Sequence, residues 1–289
     1  MPNAQLLAVL FMVLSMTSYQ ISASFAKQLF TVLDPLTVTI LRLCFAAIIV
    51  GVMFRSWKVI SRLPYLKWKD LLCYSAALGV MNILFYISLG RLPQGIAVGL
   101  EFIGPLGLAL LSIKNRSDYI WVFMAILGIA LMVPWGQASH NFDLLGAACA
   151  LGAGLCWAFY IYFGQRVVQQ NMGMHALTIA ISLAALCLLP IGLYHNTSAL
   201  LDTQHWGKAI MIAILATAIP YALDLKALQH LNKMTYGTLS SLSPALAAMT
   251  GFLLLGERIT LLQGVALVCI MLASVGVTIR AARKPNPTA

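Results

Sequence analysis

With 289 residues, 61% of them hydrophobic and only 9% charged, and a mean hydropathy of +0.90, the chain lies well outside the range of soluble domains, where about a quarter of residues are charged. The composition is that of an integral membrane protein built almost wholly of spans and short loops. The formal net charge of +10 falls in runs between apolar stretches, so it calls for no nucleic-acid partner.

A bilayer-crossing helix needs about 20 apolar residues. Such segments are expected at 4–26, 35–54, 70–89, 93–113, 119–135, 143–164, 174–194, 207–228, 234–255 and 260–280. Breaks fall at Asp34-Pro35, at the basic run from Arg55 to Asp70, at Lys114 to Asp118, at Gly136 to Asp143 and at His195 to His205. The first span ends in small residues, Ser22, Ala23 and Ser24, as a cleavable signal would. No Lys or Arg precedes it, however, and it has a counterpart in the second half, so it is expected to stay in the mature protein.

With the N-terminus placed in the cytoplasm, Lys27, Arg91, Lys208 and Arg258 fall outside and Arg42 falls within a span, while the remaining Lys and Arg lie inside. This is the positive-inside distribution with both termini cytoplasmic.

The second span carries Arg42 in ILRLCF. The third holds Asn82 and Tyr86, which are four apart and share a helix face. The fourth, within GRLPQGIAVGLEFIGPLGLALL (90–111), places Glu101 inside an apolar run and Pro105 four residues later. A proline there removes the hydrogen bond to the Glu101 carbonyl and crowds it, so the helix is weakened where its charge sits. A charge in mid-bilayer costs at least about 2.5–3.5 kcal/mol and marks a functional position by default.

Glu101 and Arg42 each lie about eight residues into a span running inward, hence about 12 Å from its outer edge at 1.5 Å per residue. At matched depth the two are expected to pair. Two readings stand: a permanent salt bridge locking the second span to the fourth, or a breakable pair that substrate or protons can part.

Five of the six tryptophans lie in or beside loops, where interfacial anchoring explains them, whereas Trp157 is mid-span. Its repeat counterpart, Tyr19, is also mid-span, and Tyr160 follows Trp157 by a turn. These residues are either packing aromatics or part of a cavity wall made with Gln20, Asn82, Tyr86 and Tyr221. Asp224, near the inner end of the eighth span, reads as a gate or interface residue. Glu257-Arg258 occupies a tight outer turn before Thr260, a candidate N-cap. Lys27 and Asp34 bracket an outer loop with no special role.

The cysteines at 44, 73, 149, 156, 187 and 269 all lie in expected spans without a CxxC spacing and read as free thiols. The histidines at 140, 175, 195, 205 and 230 lie in loops or at span ends. With no HExxH, GxSxG or P-loop, neither an enzyme nor a bound metal or cofactor is expected.

The chain repeats weakly at an offset of 138–139 residues. Pro105 falls on Pro244, Phe25-Ala-Lys-Gln on Phe163-Gly-Gln-Arg, and Glu101 on Ser240 in a Ser-Ser-Leu-Ser-Pro run. The expected fold is therefore all-α and polytopic, with ten transmembrane helices in two halves, 1–139 and 140–289. Five spans per half make the second half inverted, an arrangement typical of secondary transporters with midplane sites between interrupted helices. Each half supplies one proline-broken helix. Ser240, Ser241 and Ser243 serve either that site or close helix packing.

These halves, with YGTLSSLSPALAAMTGFLLLGERIT (236–260), resemble the EamA-type transporters of the drug/metabolite transporter superfamily. GIAVGLEFIGPL (95–106), ALGAGLCWAFYIYFGQR (150–166) and IPYALDLKAL (219–228) are most similar to its threonine/homoserine exporter branch. The leucine-glycine-glutamate motif that many relatives carry in both halves appears only in the second, at Gly256-Glu257, where the first half has Ser112-Ile-Lys-Asn.

The resemblance implies a bacterial inner-membrane exporter of small neutral amino acids, working by alternating access and coupled to protons, and because one chain can hold the whole path a monomer is expected. Export of other amphiphilic metabolites or drugs, or uncoupled facilitation, are the alternatives. An amino acid suits the site because its ammonium group matches Glu101 and its carboxylate matches the guanidinium fork of Arg42. Protonation of Glu101 would release that ammonium group, so proton and substrate would compete at one position.

Overall fold

The computed structural model describes residues 2–58, 67–110, 119–132, 143–168, 174–228, 230, 231, 236 and 239–282, and every regular element among them is helical. In chain order these are α1 (Pro2–Leu29), α2 (Pro35–Met53), α3 (Trp68–Arg91), α4 (Gln94–Glu101), α5 (Ile103–Leu110), α6 (Tyr119–Met132), α7 (Leu144–Val168), α8 (Met174–Leu201), α9 (Trp206–Ala213), α10 (Ile219–Leu228), α11 (Ser243–Leu255) and α12 (Leu261–Ala282). Six stretches among the described residues are long and apolar enough to cross a membrane: Leu6–Leu29, Pro35–Met53, Trp68–Arg91, Leu144–Val167, His175–Leu201 and Thr203–Asp224. Gln94–Leu108, Tyr119–Leu131, Ser243–Leu255 and Leu261–Gly276 are shorter apolar helices. The breaks expected at Lys114 to Asp118 and Gly136 to Asp143, much of the basic run after Arg55, and most of the start of the 234–255 span lie outside the described residues.

Local chemistry sets several helix ends. Asp34, given no role from sequence, is the N-cap of α2: its carboxylate accepts from the Thr37 amide at 3.0 Å and the Thr37 hydroxyl at 2.6 Å, with Pro35 opening the helix. Thr260 forms a reciprocal capping box with Gln263 (2.9 and 3.2 Å) ahead of α12. Gly256 ends α11 in the left-handed region at φ 67°. There the Gly256 amide donates to Phe252 O at 3.2 Å and the Glu257 amide to Gly251 O at 3.1 Å. This double bond pattern needs a residue without a Cβ at Gly256 and turns Glu257 back toward the bundle.

Two expectations need correcting. The loop expected from His195 to His205 is mostly helix, because α8 continues to Leu201 through a kink at Asn196. The Asn196 side chain caps the new turn by accepting from Ala199 N at 3.1 Å. The eighth span is not one regular helix either, since α9 joins α10 through a π-helical turn at Ile214–Ala218, just before Pro220.

The principal packing pairs are α3 with α7, α1 with α10, α2 with α8, α4 with α11, and α6 with α12. α1 is tied to the irregular α9–α10 run by three hydroxyls: Ser22 donates to Ile212 O (2.9 Å), Ser18 to Leu215 O (2.8 Å) and Ser15 to Pro220 O (3.3 Å). The descending partner numbers make the two antiparallel, which places Tyr221 and Asp224 toward the N-terminal half of α1.

Candidate functional site

The helix containing Glu101 is interrupted at Phe102, between α4 and α5, three residues before Pro105. α7 crosses that break at close range. A Cβ on Gly154 would collide with the Glu101 carbonyl and lie 3.1 Å from Gly104 N, so only glycine fits the crossing. In the second half a turn at Ser241-Leu242 precedes α11, and Pro244 lies within its first two residues. Neither proline faces the cavity.

The helices enclose a cavity of about 260 Å³. Tyr19, Gln20, Arg42, Asn82, Glu101, Trp157, Tyr160, Tyr221, Asp224 and Ser240 all line it, contributed by six helices and the segment before α11. Tyr86 does not line it and instead stands behind Arg42. Phe102, at the helix break, packs edge-on against Trp157 with centroids 5.9 Å apart, and Tyr160 stacks on Tyr74 at 4.7 Å. Sequence reasoning missed Phe102, Ser15, Thr217 and Tyr236 on the wall. Only the one-turn spacing of Ser15, Thr217 and Tyr236 from Tyr19, Tyr221 and Ser240, and the place of Phe102 beside Glu101, could have pointed to them.

The expected Arg42–Glu101 ion pair is not formed. Arg42, 4% exposed, donates from Nη2 to Asn82 Oδ1 and lies over the Tyr86 ring with its guanidinium carbon 5.0 Å from the centroid. Asn82 is itself held by donating to Leu78 O at 2.7 Å. α3 thus fixes Arg42 on its own side of the cavity. Glu101, 5% exposed, receives no hydrogen bond or ion pair from any described residue, and the Nε of Arg42 is also without a partner. Buried polar atoms normally find partners, so an unpartnered carboxylate and guanidinium nitrogen in one cavity stand out among the described residues.

Ser240 donates to Tyr236 O at 2.9 Å within its own turn. Ser241 packs the start of α11 onto α12 through Ser274 at 2.8 Å, whereas Ser243 lines the cavity.

One end of the cavity is sealed, by residues the sequence left without a role in transport. Lys27 Nζ lies 2.7 Å from Glu257 Oε1 and donates to Leu92 O, while Glu257 Oε2 accepts from the Gln94 amide at 2.6 Å. Beneath this charged layer the fully buried Gln94 side chain donates to Gln20 O (2.8 Å) and Thr250 (3.1 Å) and accepts from Ser24 (2.7 Å). Arg91 and Asp143 form a further pair at 2.8 Å. Away from this seal the wall runs past Glu101 toward Met12, Asp224 and Tyr236. Among the described residues no three His, Cys, Asp or Glu side chains cluster as metal ligands would.

A ligand-sized cavity between broken apolar helices, sealed at one end and carrying an unpaired charge of each sign, defines a membrane transporter. The chain belongs to the EamA-like transporter family, whose description matches residues 144–279. It is 42% identical to the threonine/homoserine exporter RhtA of Salmonella typhimurium strain SL1344, over 97% of this chain and 94% of that protein. Identity to the RhtA exporter of Escherichia coli K12 is also 42%, over 94% and 92%. A solved crystal structure superposes with a TM-score of 0.61 over 98% of this chain and 99% of the other, at 14% identity, a likeness of fold alone. The chain is accordingly a transporter and not an enzyme.

Proposed function

We propose that the protein exports small neutral amino acids of the threonine and homoserine type across the bacterial inner membrane, with both termini cytoplasmic, by alternating access of two inverted five-helix halves. The full-length similarity to exporters of those two substrates supports the class. The observation that carries the mechanism is the cavity-facing Glu101 carboxylate, unpartnered in the same chamber as an Arg42 that α3 holds apart from it. A zwitterion lying between them offers its ammonium group to Glu101 and its carboxylate to the open side of the Arg42 fork. Size agrees, since about 260 Å³ is below the ~300–1,000 Å³ of pockets for drug-sized ligands.

The packing supports two inverted halves. Swapping them turns the α3–α7 pair into α10–α1 and maps α2–α8, α4–α11 and α6–α12 onto themselves. The break at Phe102 likewise falls on Ser241 at the repeat offset. One protomer contains the whole cavity, so the working unit is a monomer. A proton and the substrate ammonium group compete for Glu101, and this exchange couples export to the proton gradient.

Counterflow of labelled threonine in proteoliposomes, with and without an imposed pH gradient, tests the reading. Wild type is expected to show uptake that unlabelled homoserine competes away, and Glu101→Gln to lose at least tenfold of it along with the pH response. Undiminished, gradient-driven flux through Glu101→Gln would remove Glu101 from both substrate binding and coupling.

A further inference from the structure

The proposed mechanism uses one carboxylate of the cavity, yet the wall holds two. Among the described lining residues the charged ones are Arg42, Glu101 and Asp224, one positive and two negative. An amino acid seated between Arg42 and Glu101 leaves Asp224 unused.

The position of Asp224 follows from the helix registers. α1 reaches the seal at Lys27, and its cavity residues Tyr19 and Ser15 lie about 12 and 18 Å short of it at 1.5 Å per residue. Glu101, seven residues from Gln94, is about 10 Å from the seal, near the level of Tyr19. Antiparallel α10 sets Pro220 level with Ser15 and carries Asp224 one turn beyond, from where its carboxylate reaches back to the Ser15 hydroxyl, about 8 Å farther from the seal than Glu101.

At that level the carboxylate meets the Tyr236 hydroxyl and the Ser15 hydroxyl, which it shares with Pro220 O, and no cation among the described residues. Lys226, two residues on, lies over the Phe11 ring at 5.6 Å instead. A carboxylate has about four acceptor positions, so two hydroxyls leave room for a donor from the cavity. The chemistry suits a primary ammonium group. With no guanidinium or lysine among the described lining residues at this depth, the carboxylate end of an amino acid meets no charged partner among them.

We infer that Asp224 is a second, outlying binding site for the substrate's ammonium group, where an amino acid entering from the unsealed end docks before it reaches Glu101 and Arg42. The inference extends the proposed function and divides the labour of recognition. The outlying site reads only the amine, and the deep site reads amine and carboxylate together. An amino alcohol lacking the carboxylate is therefore a ligand of the outlying site.

The test is saturation-transfer difference NMR of threoninol with the purified full-length protein, in a Glu101→Gln background where Asp224 is the remaining carboxylate among the described lining residues. Glu101→Gln is expected to retain a threoninol signal, Glu101→Gln/Asp224→Asn to lose at least tenfold of it, and Glu101→Gln/Asp224→Glu to restore it in an equally stable protein. Loss of the signal in Glu101→Gln alone, or an equal signal in the Asp224→Asn double variant, overturns the inference. The two proposals fail separately: wild type without threonine counterflow, but with Asp224-dependent threoninol binding, would refute amino-acid export and leave the ammonium site standing.

Discussion

Arg42 is held by two contacts from one neighbour, and they differ in kind. Asn82 gives the guanidinium a directed acceptor, whereas Tyr86, one turn along the same face, gives it the electron-rich face of a ring. With Asn82 truncated, the free fork would turn to the Glu101 carboxylate in the same cavity, and the resulting pair would occupy both halves of the proposed substrate site. Asn82→Ala is therefore expected to raise the half-saturating threonine concentration about tenfold, or about 1.4 kcal/mol. Tyr86→Phe keeps the ring face and should stay within about twofold of wild type. The same counterflow assay reads both, and a loss in Tyr86→Phe as large as that in Asn82→Ala would show that the ring hydroxyl positions Arg42 as much as the amide does. The two charges were legible in the sequence because each stands alone in an apolar run. Their separation was not, because distance along a span fixes height in the membrane but leaves open which way a side chain turns, and Asn82 decides that.

At the scale of the element, the α4–α5 break depends on its neighbour as much as on its proline. Pro105 frees the Glu101 carbonyl, and Gly154 of α7 comes close enough that a single methyl would strike it. Overpacking a tight contact costs about 1–3 kcal/mol. Gly154→Ala should therefore lower the thermal unfolding midpoint in detergent by several degrees, while Gly107→Ala, where an added Cβ meets nothing within 4 Å, should not. An unchanged midpoint for Gly154→Ala would mean that the crossing is looser than the geometry states. The prolines announced both interruptions, at Phe102 and at Ser241-Leu242, because a missing N–H acts on the carbonyl four residues back. The kink at Asn196 carries no comparable signal, whereas the π turn at Ile214–Ala218 has one in Pro220, four residues after Ala216. The kink is stabilised by a side-chain cap that any surface asparagine could make, and the π turn is held from across by the Ser18 hydroxyl of α1.

For the whole molecule, the proposed alternating access requires the sealed end to open, and its two ion pairs contribute differently. Asp143 is held below the usual carboxylate range by the Gly146 amide and then by Arg91. Its contribution is thus present above the ordinary carboxylate value and is lost only as the pH falls through the depressed one, so mild acid does not release the Arg91 pair. Lys27–Glu257 is the better candidate for the latch. It is more buried, and Glu257 also accepts from the first amide of α4, the short helix that carries Glu101 at its other end. Gln20 joins the two levels, lining the cavity while its carbonyl accepts from Gln94 in the seal. Glu257→Gln removes the ion pair but keeps an acceptor for Gln94. A partly buried pair contributes about 1–2 kcal/mol, between the exposed and fully buried limits, and losing it shifts a two-state balance about 5- to 30-fold. A cysteine placed at Ser24, fully buried in the amide layer, in a background without the native cysteines, reports that shift. A membrane-impermeant thiol reagent applied at the sealed face should react with it at least fivefold faster in Glu257→Gln than in the parent. An unchanged rate would mean that the amide layer alone keeps this end shut, and that opening begins at Gln94 instead of at the ion pair above it.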